Sequence, residues 1–118
     1  MRFVILRKSD ATMESDTPAS PELITAIQQY DDEMRKAGVL VAVERLQPSW
    51  RGTRFRVSKG GAYTTLDGPF AETKELIAGI TTVDVGSKEE AIAWMKRCPT
   101  LCGGDVDAEF EIRQVLDF

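Results

Sequence analysis

Histidine is absent from this chain of 118 residues. Its absence excludes, within the chain, every mechanism that needs an imidazole as general base, as the partner of a catalytic serine or as a metal ligand. Cysteine is nearly as scarce. The two thiols, Cys98 and Cys102, supply at most half of a structural zinc site when no histidine accompanies them. The sequence therefore predicts no metal site and gives no indication of a bound cofactor.

An excess of basic residues is also missing. The 15 lysines and arginines are outnumbered by 19 acidic residues, which gives a formal charge of −4, whereas a duplex-binding domain normally carries a basic excess. The first ten residues contain only four consecutive apolar ones, Phe3 to Leu6, far fewer than a signal peptide or a membrane helix needs. We therefore expect a cytoplasmic protein that binds neither nucleic acid nor a membrane.

The chain does contain clear helix and strand signals. Ser20 and Pro21 are typical of an N-cap and a first helical position, and Gly38 is typical of the end of the same helix. Ser87 and Glu90 form a capping box for a second helix, which we expect to end before Pro99. Apolar runs and alternation predict strands at 2–8, 39–46, 53–58, 62–66, 76–85 and 109–115. The adjacent glycines Gly60 and Gly61 predict a hairpin turn, and we expect loops at 9–19 and 101–108.

The order of these elements predicts the fold class. A β-α-β unit, a hairpin and a second β-α-β unit indicate an α+β ferredoxin-like sandwich, with one mostly antiparallel sheet and both helices on one face. We expect a single domain over residues 1–118. Right-handed crossovers would bring strands 2–8 and 76–85 side by side in the middle of the sheet.

The two predicted central strands are apolar on both faces, whereas two helices cover only one face of a sheet. A sheet with one wet face normally alternates apolar and polar residues. We therefore predict a homodimer that forms through the sheet faces. The alternative is that the hairpin at 53–66 folds back and covers the second face of its own sheet.

Residues 67–75, with the sequence DGPFAETKE, are the densest local signal. Pro69 fixes its own φ and restricts Gly68, so the chain must turn sharply there. The Asp67 carboxylate can accept backbone amides of its own turn. Further ionisable groups follow at Glu72, Lys74 and Glu75. On these residues alone, the segment is also compatible with a structural turn followed by a solvated run of charges.

The segment resembles the signature of the YCII-related family, in particular its DGPF-domain branch. The stretches AGVL at 37–40 and VERLQP at 43–48 resemble the same branch. The resemblance implies a dimeric α+β barrel, in which two ferredoxin-like sheets face each other. It also implies a small bacterial protein of generally unassigned activity, often associated with genes for extracytoplasmic-function sigma factors. Some relatives are thought to use a histidine–aspartate pair in a cleft. Without histidine, only Asp67 carries over.

Three functions are compatible with these observations. The first is binding of a small metabolite in a cleft between the sheet and the hairpin, near the Asp67 turn. Its expected ligand-binding residues are Glu44, Arg54, Arg56, Phe70 and Lys74. The second is enzymatic proton transfer of the isomerase or lyase kind, with Asp67 or Glu72 as the catalytic base. The third is a regulatory role as the partner of another protein, such as a sigma factor.

Overall fold

The computed structural model describes residues 1–15, 17–72, 75–99 and 107–117. Its strands are β1 (Arg2–Lys8), β2 (Leu40–Arg45), β3 (Thr53–Val57), β4 (Tyr63–Asp67), β5 (Ile77–Asp84) and β6 (Phe110–Gln114). Its helices are α1 (Ala11–Glu14), α2 (Pro21–Lys36) and α3 (Lys88–Met95), and a single 3₁₀ turn covers Ser49–Arg51.

Four strands form the main sheet, in the order β2-β5-β1-β6, and every neighbouring pair is antiparallel. Strand β1 lies between β5 and β6, with Ile5 opposite Thr81 on one side and opposite Ile112 on the other. The predicted pairing of the first and fifth strands is confirmed. The ferredoxin-like α+β fold is confirmed with it.

The core lies between the sheet and the two longer helices. Helix α2 begins as predicted, because the Ser20 side chain accepts a hydrogen bond from the Leu23 amide and Pro21 follows it. Apolar side chains from both layers are buried in one cluster. Its members are Phe3, Ile5, Tyr30, Met34, Val39, Val83, Val85 and Ala91. Burial of these side chains is the main source of stability in this part of the molecule.

The segment after β1 differs from the sequence-based expectation. We predicted a loop over 9–19, but residues 11–14 form α1. The Asp10 carboxylate caps this short helix by accepting a hydrogen bond from the Met13 amide at 2.8 Å. Helix α3 ends at Met95, before Pro99 as predicted. Most of the loop predicted at 101–108 lies outside the described residues.

Strands β3 and β4 form a separate two-stranded sheet, which we call the arm (Thr53–Asp67). Gly60 and Gly61 have φ angles of 102° and 96° at its turn, a conformation that favours glycine. Every residue of both strands is exposed. The arm therefore does not fold back over the second face of its own sheet.

That second face, which we call the open face, has an apolar centre. The strand register places Val4, Leu6, Ile80 and Thr82 on it, on the side of the sheet opposite to Phe3 and Val83. These four side chains are half-buried, whereas Phe3 and Val83 are buried under the helices. No helix or strand among the described residues covers the open face.

Candidate functional site

A cavity of about 280 Å³ lies between the sheet and the segment that runs from α1 through α2. An apolar cavity of about 150 Å³ already holds benzene, so this volume is large enough for one substituted aromatic ring. Most of its wall is apolar. The apolar lining side chains are Met13, Ala19, Leu23, Ile27, Val43, Leu46, Ala78, Pro99 and Phe110.

Small residues on β5 leave room for the cavity. Ala78, Gly79 and Thr81 all line it, and Gly79 has no side chain to fill the space between Arg7 and Arg45 of the neighbouring strands. A Cβ atom built on Gly79 would lie 3.8 Å from the Arg7 Cβ and 3.9 Å from the Arg45 Cγ. The opposite wall is α2, where Leu23, Ile27 and Tyr30 share one helical stripe.

One guanidinium at the cavity belongs to Arg7, whose side chain is only 13% exposed. Its Nη1 donates to the Lys8 carbonyl at 2.6 Å, and its Nη2 lies 3.5 Å from the Asp10 Oδ2. The guanidinium also lies over the Phe110 ring, 5.2 Å from its centroid. Because Asp10 also caps α1, this ion pair fixes that helix against β1.

A second guanidinium at the cavity belongs to Arg45. Its two terminal nitrogens donate to the two carboxylate oxygens of Asp31 at 3.0 and 3.2 Å, a bidentate pair that ties β2 to α2. The Asp31 side chain is 10% exposed, whereas that of Arg45 is 51% exposed. The Arg45 guanidinium therefore keeps a solvent-accessible side from which further donors are available.

Two weakly acidic groups complete this end of the cavity. Burial raises the pKa of the Cys98 thiol, while the guanidinium groups of Arg45 and Arg7 act in the opposite direction. Burial also raises the pKa of the Tyr30 phenol, whose hydroxyl donates to the Trp94 carbonyl at 2.7 Å. Both groups are therefore neutral at pH 7, and Tyr30 already has a hydrogen-bond acceptor.

The turn at Asp67–Phe70 lies outside this cavity, at the base of the arm. A Cβ atom on Gly68 would come 1.8 Å from the Ser49 carbonyl oxygen, so only glycine fits there. The Gly68 amide donates to the Gly52 carbonyl at 3.0 Å. The Phe70 amide donates to the Ser49 Oγ, and that hydroxyl donates in turn to Glu14 of α1. The turn therefore joins the arm to the rest of the molecule.

The predicted site residues are distributed over several places. Asp67 is exposed and accepts a hydrogen bond from the Thr53 hydroxyl at 2.8 Å, across the first pair of the arm. The Arg54 guanidinium lies over the Phe70 ring, 4.0 Å from its centroid. Arg56 is exposed further along the same face of the arm. None of these four side chains lines the cavity.

Glu44 is the predicted residue that borders the cavity, but its position opposite Ile80 places its side chain on the open face. Glu72 is exposed, and the hydrogen bond that its protonated carboxyl donates to Glu75, together with the negative charge of Glu75, raises the pKa of Glu72. Lys74 lies outside the described residues. Neither Asp67 nor Glu72 lines a cavity among the described residues. Proton transfer by either carboxylate therefore stays a prediction.

Sequence reasoning missed the residues that make the cavity polar. Arg7 and Arg45 were predicted as parts of strands and were not considered as site residues. The available signal was the position of each arginine at the carboxyl end of an otherwise apolar strand. The small-residue run Ala78-Gly79 in a buried strand was a second signal, since glycine inside a strand often marks a close approach or a gap.

A ferredoxin-like sheet with a cavity beneath its helices defines a class of small α+β proteins rather than one activity. Within that class, the chain belongs to the YCII-related domain family, whose sequence model matches residues 1–118. An uncharacterized protein of Rhizobium meliloti (strain 1021) is 42% identical over 57 residues. That match covers 48% of this chain and 45% of the relative, so the chain spans less than half of the relative's length.

Two further findings concern the described residues only. They contain no group of three or more cysteine or carboxylate side chains that could hold a metal ion. None of their helices is long and apolar enough to cross a membrane.

Proposed function

We propose that this protein binds a small molecule with an apolar body and an acidic group in the cavity between the sheet and α2. The observation that carries the proposal is the composition of the cavity wall. Ligand sites are mostly apolar, with a few polar groups that fix orientation. Here Arg7 and Arg45 bring two guanidinium groups to a wall that is otherwise mostly apolar.

The charges of the wall favour an anion over a cation. The carboxylates that pair with the two arginines, Asp10 and Asp31, do not line the cavity, whereas both arginines do. Arginine presents a planar fork of donors that matches a carboxylate. We therefore expect the acidic group of the ligand to bind beside Arg45, which is the more accessible of the two.

A matched pair of probes tests this proposal. Benzoate and benzamide have nearly the same size and shape, but only benzoate carries a charge at pH 7. In a ¹H–¹⁵N titration, benzoate should shift the amides of Thr81 and Ile27 at millimolar concentration, and benzamide should bind at least about tenfold more weakly. Equal shifts with both probes would contradict the predicted role of the arginines, and shifts confined to other regions would contradict the site.

A substitution that fills the cavity provides the second part of the test. Ile27→Trp places a larger side chain into the space and should abolish the benzoate shifts. Ile24→Trp is the matched control, because Ile24 lies on the same helix, is 45% exposed and does not line the cavity. Benzoate binding that survives Ile27→Trp would remove this cavity from the proposal.

We further propose that the protein is a homodimer in which two open faces pack together. The apolar centre of the open face, formed by Val4, Leu6 and Ile80, supports this proposal because an exposed apolar sheet face is unfavourable in water. Light scattering at micromolar concentration should give about twice the chain mass of 13.1 kDa. Val4→Lys should reduce that mass, whereas Leu116→Lys should not, since Leu116 lies outside the sheet.

A further inference from the structure

The arm has one apolar and one polar face. Its register pairs Phe55 with Thr65 and Val57 with Tyr63, so these four side chains share a face. Phe55 and Tyr63 contact each other, with ring centroids 5.1 Å apart. The pairs Arg54–Leu66 and Arg56–Thr64 occupy the opposite face.

The apolar face of the arm is uncovered in the described residues of one chain. Phe55 is 63% exposed, Val57 56% and Tyr63 69%, whereas the core residues of the main sheet are at most 9% exposed. Two aromatic rings and a valine on one small surface are a larger apolar patch than scattered exposed residues produce. Aromatic residues are enriched in protein interfaces, and tyrosine is frequent among the residues that dominate binding.

The arm is also held in a fixed direction. Its base is tied to the rest of the molecule by the contact of Arg54 with Phe70 and by the hydrogen bonds of Gly68 and Phe70. The molecule measures 47 × 40 × 20 Å, and 20 Å is the thickness of one sheet layer and one helix layer. The arm therefore extends beside these layers. A surface that is ordered before binding loses less entropy when it binds.

Charge indicates what covers the arm. Residues 53–67 carry Arg54, Arg56, Lys59 and Asp67, a net charge of +2. Since the whole chain carries −4, the remainder carries −6. The body of a second copy is therefore opposite in net charge to the arm, which favours association, while Arg54 and Arg56 stay outside the apolar contact because they lie on the other face of the arm.

We infer that the arm docks through Phe55, Val57 and Tyr63 onto a second copy of this chain. The inference rests on the dimer proposed above and adds a second contact to it, outside the open face. The DGPF turn then has a defined role, which is to fix the direction of an arm that is completed only by a partner. The Gly68 fit and the Phe70 contacts are the features of the turn that serve this role.

Sedimentation equilibrium of the full chain over a wide concentration range tests the inference. The double variant Phe55→Ser/Tyr63→Ser should raise the dimer dissociation constant by at least about tenfold. Leu116→Ser is the matched control, because it also removes a large exposed apolar side chain, 73% exposed, but lies away from the arm. The control should leave the constant within twofold of the parent.

Photo-crosslinking gives a readout that does not depend on stability. Tyr63 is replaced by p-benzoylphenylalanine and the sample is irradiated at a concentration where the dimer forms. We expect a crosslinked species of twice the chain mass, with the second site on the acidic body of the partner. A crosslink confined to one chain would overturn the inference.

The outcomes separate this inference from the dimer proposed above. A parent protein that stays monomeric at 100 μM contradicts both. A parent dimer that dissociates with Val4→Lys, but is unaffected by Phe55→Ser/Tyr63→Ser, contradicts the arm contact and leaves the open-face dimer. Unaltered far-ultraviolet circular dichroism of the double variant confirms that its effect is on association rather than on folding.

Discussion

The main sheet and the arm are both antiparallel β-structure, but they differ in what completes them. The main sheet has two helices against one face, and Ile5, Met34 and Val83 are at most 2% exposed there. The arm has no layer against either face among the described residues, and all ten of its strand residues are exposed. An isolated two-stranded hairpin is only marginally stable in water. The arm therefore depends on the contacts at its base and, in our account, on a partner.

The largest expected effect concerns the joint between the two regions. Gly68→Ala should destabilise the protein by at least about 3 kcal/mol, because the new Cβ would overlap the backbone oxygen of Ser49 and no flexible side chain can move aside. Urea unfolding measures the change. Gly86→Ala is the control, since its Cβ would meet only the flexible Glu90 carboxylate at 3.3 Å, and it should cost less than about 1 kcal/mol.

A pair of truncations compares the regions directly. Met34→Ala, in the core and 1% exposed, should cost about 2–5 kcal/mol in unfolding free energy. Phe55→Ala removes a larger side chain but should cost less than about 1 kcal/mol when the dimer is dissociated, because little of its surface is buried within one chain. Similar losses at both positions in dilute protein would mean that the arm packs against its own chain.

Alkaline pH should weaken the region around the cavity. The pKa values of Cys98 and Tyr30 are both raised in the folded state, from ordinary values of 9.0 and 10.0, because burial disfavours the charged thiolate and phenolate. Their contribution is fully present below pH 9 and is lost as the pH rises above it. The urea midpoint should fall between pH 8 and pH 11.

The double variant Cys98→Ala/Tyr30→Phe should have a flatter dependence over the same range. Tyr63→Phe, measured at a concentration where the dimer is dissociated, is the matched control on the exposed arm and should leave the dependence as in the parent. A parent protein whose midpoint stays constant between pH 8 and pH 11 would contradict the burial of these two groups.

The smallest expected effect is that of Asp67→Asn. The side-chain oxygen of asparagine can still accept the hydrogen bond from Thr53, so the loss of stability should stay below about 1.5 kcal/mol. Benzoate binding should be unchanged in our account, because Asp67 does not line the cavity. Loss of binding with unchanged stability would instead assign Asp67 to the site, as the sequence-based hypothesis did.

The strand and helix order was predictable because it depends on local patterns. The caps at Ser20 and Ser87 and the two-glycine turn were recognised from the residues alone, and all three are present. Helix α1 was missed because it is only four residues long and one of its stabilising contacts is tertiary. Its N-cap Asp10 and the Arg7 that pairs with Asp10 are local, but Glu14 binds Ser49, which is 35 positions away in the chain. A window of neighbouring residues does not contain Ser49.

The candidate site was less predictable than the fold, for a related reason. The charge run at 67–75 drew attention because its ionisable groups are close in sequence, yet Asp67 contacts the arm rather than a cavity. The cavity is formed by residues that are distant in sequence, such as Arg7, Arg45 and Gly79, which only the strand pairing brings together. Their meeting point depends on register, which a single sequence specifies weakly.

The central claim is that a partner completes the arm, whereas the core is complete in one chain. Hydrogen–deuterium exchange tests this claim most directly when it is measured at two protein concentrations, one above and one below the dimer dissociation constant. Peptides from residues 53–67 should exchange much more slowly in the dimer than in the dissociated protein, whereas peptides from α2 should exchange at nearly the same rate in both. An arm that exchanges equally fast at both concentrations, in a protein shown to dimerise, would contradict the account.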